Sequence, residues 1–236
     1  MVTETSTAHA VTPQNRGRYR GFDVLDQAHQ WDPATTEVVA ARLHPPESPP
    51  FFSPDEAAVA AALLDLLLAQ DSEPKVPVLP LIETRLATGE TDGWHYDDMA
   101  PDGQAWRASL AGLDDDARRH YGIGYADLSR ARQARLLTDV QDLGERGDTW
   151  RDWSAGHVWS LWTRYACTAF YSHPWAWNEM GFSGPAYPRG YLNLGVNARE
   201  HFEIADRDDT DPVGFADRVE RARHADDDLP DRGPHA

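Results

Sequence analysis

Ser53-Pro54-Asp55-Glu56 stands directly ahead of the most apolar run in the chain, Ala57 to Leu68. A Ser at the N-cap with Glu three residues on forms a capping box. Pro suits the first helical turn, where its missing N–H has no partner to lose. Ala60, Leu63, Leu64 and Leu67 then recur at helical spacing, and Val59, Leu66 and Leu68 widen the apolar face. A helix apolar over so much of its circumference must be covered on several sides. The chain is therefore expected to wrap further helices around this one.

Those helices are legible in part. Asp32-Pro33 marks a helix start within the weakly helical stretch Tyr19 to Leu43. Leu79 to Leu86 restarts a short helix that ends at Gly89. Gln104 to Leu113 and Asp114 to Tyr121 read as two short helices, the Asp114-Asp115-Asp116 run opening the second as its cap. Ser129 caps another, with Ala134, Leu137 and Val140 on one face and Gly144 at its end. From Asp152 or Ser154, Val158, Leu161, Trp162, Tyr165 and Ala169 form the stripe of a last strong helix, closed by Ser172-His173-Pro174. No run alternates with a period of two, and no repeat recurs. The fold class is all-α: an irregular helical domain with an ordered loop rich in aromatics, Pro and Gly, and disordered termini.

That loop runs from Tyr171 to Leu194. Its prolines and glycines argue against a regular helix, and its rings argue against disorder. It is expected to be an irregular segment held by its own side chains. The chain then divides into a disordered N-terminal segment (1–18), an arm with the Pro-rich connector His44 to Pro50 (19–50), the helical domain (51–197) and an acidic tail (198–236). Phe202, Val213, Phe215 and Val219 suit one exposed helix in the tail.

A net charge of −17 and a pI near 4.8 argue against nucleic acid and anionic membrane surfaces as partners. Met1 to Gln14 are polar without the apolar region of an export signal, and no apolar run is long enough to span a bilayer. A soluble protein is the expectation, cytoplasmic by default unless a partner carries it elsewhere. The one cysteine, Cys167, permits no internal disulfide and is expected to be a small buried hydrophobe. The acidic loop Thr91 to Gly103, with Trp94, His95 and Tyr96 beside Asp97, Asp98 and Asp102, is expected to be solvated; no metal site is assigned. Gly122-Ile123-Gly124 does not follow a strand and departs from the dinucleotide pattern. There is no phosphate loop, nucleophile elbow, HExxH, CxxCH or Glu-x-x-His pair. His173 is expected to hydrogen-bond the backbone, and no catalytic residue is assigned.

Phe51-Phe52-Ser53-Pro54-Asp55-Glu56, Leu113-Asp114, Arg132-Gln133, Thr168-Ala169-Phe170-Tyr171-Ser172-His173-Pro174 and Gly181-Phe182-Ser183-Gly184-Pro185 with Tyr187-Pro188 follow in an order that resembles the gluconate 2-dehydrogenase subunit 3 family. The resemblance covers roughly Phe51 to Leu194. It implies a non-catalytic small subunit that stabilises or matures a large FAD-dependent partner of the glucose-methanol-choline type. FAD would then sit in the partner and no cofactor in this chain, with a separate cytochrome c as a further candidate partner. Two features depart from the family pattern: no twin-arginine signal is seen, and Trp175-Ala176-Trp177-Asn178 stands where members often have Gly-Gly-Asn. The rigid aromatic loop suits one half of such an interface, with Tyr171, His173, Pro174, Trp175, Trp177, Asn178, Phe182, Tyr187 and Tyr191 as candidate contacts. A free-standing carbohydrate-binding module using Trp94, Trp175 and Trp177 stays open as the alternative, as does an enzyme using His173 with a carboxylate.

Overall fold

The computed structural model describes residues 10–19, 21–44, 50–193, 195 and 198–205. Seven α-helices follow in order: α1 (Pro33–Ala41), α2 (Pro54–Leu67), α3 (Val78–Thr88), α4 (Asp102–Tyr121), α5 (Arg130–Glu145), α6 (Ala155–Tyr171) and α7 (Pro174–Met180). A two-stranded antiparallel hairpin, β1 (Thr149–Trp150) and β2 (Trp153–Ser154), precedes α6, and short 3₁₀ helices lie at Pro13–Asn15, Val24–Gln30 and Tyr125–Asp127. The all-α expectation holds. No helix among the described residues is long and apolar enough to cross a membrane.

The described residues form two compact units. One comprises 50–69 and 78–168, the other 10–44, 70–77 and 169–205, so α6 runs from the first into the second. In the larger unit α2 is the central element. The capping box forms as expected: the Ser53 hydroxyl accepts from the Glu56 N–H at 3.3 Å and the Glu56 carboxylate from the Ser53 N–H at 2.8 Å. Ala60, Leu63 and Leu64 are buried against a core that includes Ile82, Trp106, Leu110, Leu113, Leu136, Val158 and Trp162. Each such aliphatic side chain withdrawn from water stabilises the fold by roughly 2 kcal/mol. The α6 stripe is buried as expected, and Trp162 Nε1 donates to Ser109 Oγ at 2.9 Å.

Several expectations are corrected. Residues 102–121 are one helix, because nothing between Leu113 and Asp114 breaks the backbone ladder. The Asp114-Asp115-Asp116 run therefore lies inside α4 and makes ion pairs instead of capping: Asp114 with Arg118 at 2.8 Å and Asp116 with Arg151 at 2.8 Å. Gly144 does not end α5, which reaches Glu145; it lies where α5 meets Gly156. Cys167 is exposed, since helical rotation places it off the α6 stripe. Asp102 is not solvated: it is 5% exposed and accepts from the Tyr165 hydroxyl at 2.6 Å. Asp98 also has partners, pairing with His157 Nδ1 at 2.7 Å and the Ser154 N–H at 3.2 Å.

The stretch after Tyr171 is not wholly irregular either. Its Pro falls at the first position of α7 and Gly181 follows the last, the two places where a helix tolerates them. Residues 10–18, expected to be disordered, are packed in part: Thr12 is 6% exposed and the Val11 carbonyl accepts from Asn178 Nδ2 at 3.0 Å. Of the expected tail helix, Val213, Phe215 and Val219 lie outside the described residues, whereas Phe202 is buried in a turn and not on an exposed helix.

Candidate functional site

The smaller unit is assembled around α7. His173 caps it, with Nδ1 accepting the Trp175 N–H at 3.2 Å. Gly181 closes it at φ 72°, and an added Cβ there would lie 2.6 Å from Tyr19. Trp177 sits in an apolar cluster with Val24, Trp31 and Val39, and its Nε1 donates to the Tyr171 carbonyl at 2.6 Å. One helical position on, Asn178 Oδ1 accepts the Val24 N–H at 2.8 Å, while Nδ2 donates to Val11 O and, at 3.3 Å, to Asp23 Oδ1. A single amide thus ties α7 to two segments far back in the chain, satisfying backbone groups buried there.

His173 is fully buried, and burial first, then the positive charge of Arg42, pushes its pKa down to about 4. At neutral pH the ring is uncharged. Because Nδ1 accepts, the ring proton resides on Nε2, which has no hydrogen-bond partner among the described residues. The backbone role expected for His173 is met. None of the described carboxylates pairs with it, so the acid–base pairing that the enzyme reading needs is not formed there.

The nine candidate contacts separate into two sets. Pro174, Trp177 and Asn178 are buried with His173, and Trp175 is half-buried. Tyr171, Phe182, Tyr187 and Tyr191 are exposed, by 50%, 39%, 66% and 52%. The buried set supports the exposed one: Phe182 packs edge-on against Trp177, with ring centroids 5.3 Å apart. Phe182 and Tyr191 line a cleft of about 360 Å³ together with Ser183 and Ile204.

The chain beyond Ser183 is held by residues that local sequence pattern does not mark. Arg189 donates to Gln27, Gln30 and the Ser183 carbonyl at 3.2, 3.0 and 2.6 Å and lies over the Phe202 ring. The Glu200 carboxylate, 5% exposed as a residue, accepts the N–H groups of Leu192 and Asn193, each at 2.5 Å. The Asn193 N–H, foremost, keeps that carboxyl below its ordinary pKa. Arg42 was likewise silent in the sequence. Its guanidinium lies 5.6 Å from the Trp177 ring and donates to the Ser172 carbonyl at 3.0 Å.

In the larger unit, a cleft of about 610 Å³ between α4, α5 and the hairpin has Leu136, Val140 and Trp150 in its lining. Its Asp116 and Arg151 are already paired with each other. Among the described residues no group of three or more His, Cys, Asp or Glu is placed to hold a metal ion.

These features define an all-α protein that presents a set of rings from the end of α6 and the loop after α7. The chain belongs to the gluconate 2-dehydrogenase subunit 3 family, whose model it matches over residues 54–184, more than half of its length. The matched segment begins at the capped start of α2 and ends in the turn after α7. No curated protein and no solved structure is significantly similar to the chain.

Proposed function

We propose that this chain is the small, non-catalytic subunit of a multi-subunit dehydrogenase, binding and stabilising or maturing a large FAD-dependent subunit of the glucose-methanol-choline type. The flavin and the chemistry on a sugar or other alcohol then belong to the partner; a cytochrome c is a further candidate member of the complex. The observation that carries this reading is the exposure of Tyr171, Phe182, Tyr187 and Tyr191 on a scaffold fixed beneath them by Trp177, Asn178 and Arg189. Rigid amphipathic rings make large contact area at low ordering cost, which is why they anchor interfaces. Membership of a dehydrogenase-subunit family supplies the kind of partner.

The carbohydrate-module alternative is less well supported. Trp177 is in the core, and Trp94, although 49% exposed, has Arg164 over its ring at 4.7 Å. The test is affinity purification of the tagged protein from its host, with an absorbance spectrum of the eluate. A large second chain with flavin bands is expected, and a colourless single chain would overturn the reading. Tyr187→Ala with Tyr191→Ala should weaken that complex about tenfold or more. Both rings are exposed, so the isolated chain's stability should change by less than about 1 kcal/mol.

A further inference from the structure

Four arginines of the larger unit meet a carboxylate, Arg85 and Arg164 from partly buried positions and Arg107 and Arg151 from exposed ones. Arg85, Arg107, Arg151 and Arg164 reach Asp92, Glu56, Asp116 and Asp92 at 2.9, 3.1, 2.8 and 2.5 Å. In the smaller unit Arg189 has no such ion pair among the described residues, but three amide oxygens receive its N–H groups. Arg42 has neither arrangement. One of its five N–H groups goes to the Ser172 carbonyl, its face lies on Trp177, and among the described residues no carboxylate pairs with it.

This is unexpected in a chain of net charge −17, where carboxylates are plentiful. Burial lowers the Arg42 pKa with no opposing contribution, whereas at Arg85 burial is the largest single effect but is outweighed by the hydrogen bond and charge of Asp92 together with Tyr165 and Glu90. Among the described residues His173 is a titratable group that feels Arg42, and it is neutral. A half-desolvated guanidinium above an indole, with most of its fork unused, is a preorganised receptor for a carboxylate. It adjoins the exposed Tyr171, whose own carbonyl anchors Trp177.

We propose that Arg42 is the charged anchor of this surface and receives an Asp or Glu carboxylate from the protein partner. The inference rests on the subunit reading above and names the chemistry the partner must present there. In the assembled complex the carboxylate completes the fork and removes the charge from solvent. The rings around it exclude water, which strengthens the pair. Acid-rich surroundings then act as a filter, since a partner acid approaches this chain productively only where a lone cation awaits it.

The test is to co-express tagged wild type, Arg42→Gln and Arg42→Lys with the host flavoprotein and to measure affinity together with the melting of each isolated chain. Arg42→Gln should weaken the complex about 30-fold or more, as losing one side of a desolvated charge pair does. Arg42→Lys, which keeps the charge but not the fork, should fall between the two. The isolated Arg42→Gln chain should melt no lower than wild type, because it loses a charge that has no counter-ion. Wild type that captures flavoprotein while Arg42→Gln binds equally well overturns this assignment alone. A lower melt in Arg42→Gln with unchanged affinity assigns Arg42 an internal structural role and overturns it as well. Wild type that captures no flavoprotein overturns the subunit reading, and this inference with it.

Discussion

His173 shows how much one side chain decides here. Its ring caps α7 only as the neutral tautomer, because Nδ1 must accept the Trp175 N–H. Its folded pKa of about 4 lies below the ordinary 6.5. The unfolded chain therefore binds a proton that the folded chain refuses as pH falls from about 6.5 towards 4, and stability is lost across that window; above it the group has no effect. The loss amounts to about 3 kcal/mol at most. Urea unfolding at pH 7.5 and pH 4.5 should show it in wild type. His173→Asn, which keeps a good cap without the titrating group, should lose markedly less between the two pH values. Equal losses in both proteins would mean that His173 does not carry the acid sensitivity. Arg42 is the counterpart at the same scale: both residues are charge problems created by burial, and the protein solves one by neutrality.

At the scale of elements, α5 and α6 meet through glycine. A Cβ on Gly144 would lie 3.0 Å from the Gly156 Cα and 3.1 Å from its nitrogen, and backbone atoms cannot rotate away as a side-chain end can. Gly144→Ala should raise intrinsic helix propensity by up to about 1 kcal/mol. The steric cost of forcing the helices apart, about 1–3 kcal/mol, should exceed that gain. A lower urea midpoint with an unchanged slope is expected. This close approach also explains why Gly144 reads as a terminator in the sequence. A glycine chosen for packing and one chosen for a helix end look alike along the chain. Two of the expected caps form, at Ser53 and at Asp32, which accepts the Thr35 N–H at 2.8 Å at the start of α1. Ser129, by contrast, stands at the N-cap of α5 without a side-chain hydrogen bond.

At the scale of the whole molecule, the charge of −17 governs encounters before any contact forms. At pH 7 and low salt the protein should pass through a heparin column unretained and bind an anion exchanger; retention on heparin would point to a basic face that the net charge conceals. The family match and the ring-bearing surface concern the other side of recognition, the short-range fit. They overlap in part: the matched segment includes Tyr171, α7 and Phe182 and ends at Gly184, ahead of Tyr187 and Tyr191.

The helices α2, α5 and α6, the all-α class and the family blocks were determined by the sequence alone. Caps and 3.6-residue periodicity are local properties, expressed within one or two turns. What tertiary structure decided was the division of the aromatic stretch into buried supports and exposed contacts. Trp175, Trp177, Tyr187 and Tyr191 have the same composition signal, yet Trp177 is core and Tyr187 is 66% exposed. The contacts that sort them reach far along the chain: Asn178 to Val24 across 154 residues, and Arg42 to Ser172 across 130. No local pattern encodes such pairs. They exist because burying Trp177 and Asn178 obliges distant backbone groups to find partners out of water, and only the closed fold brings those partners within reach.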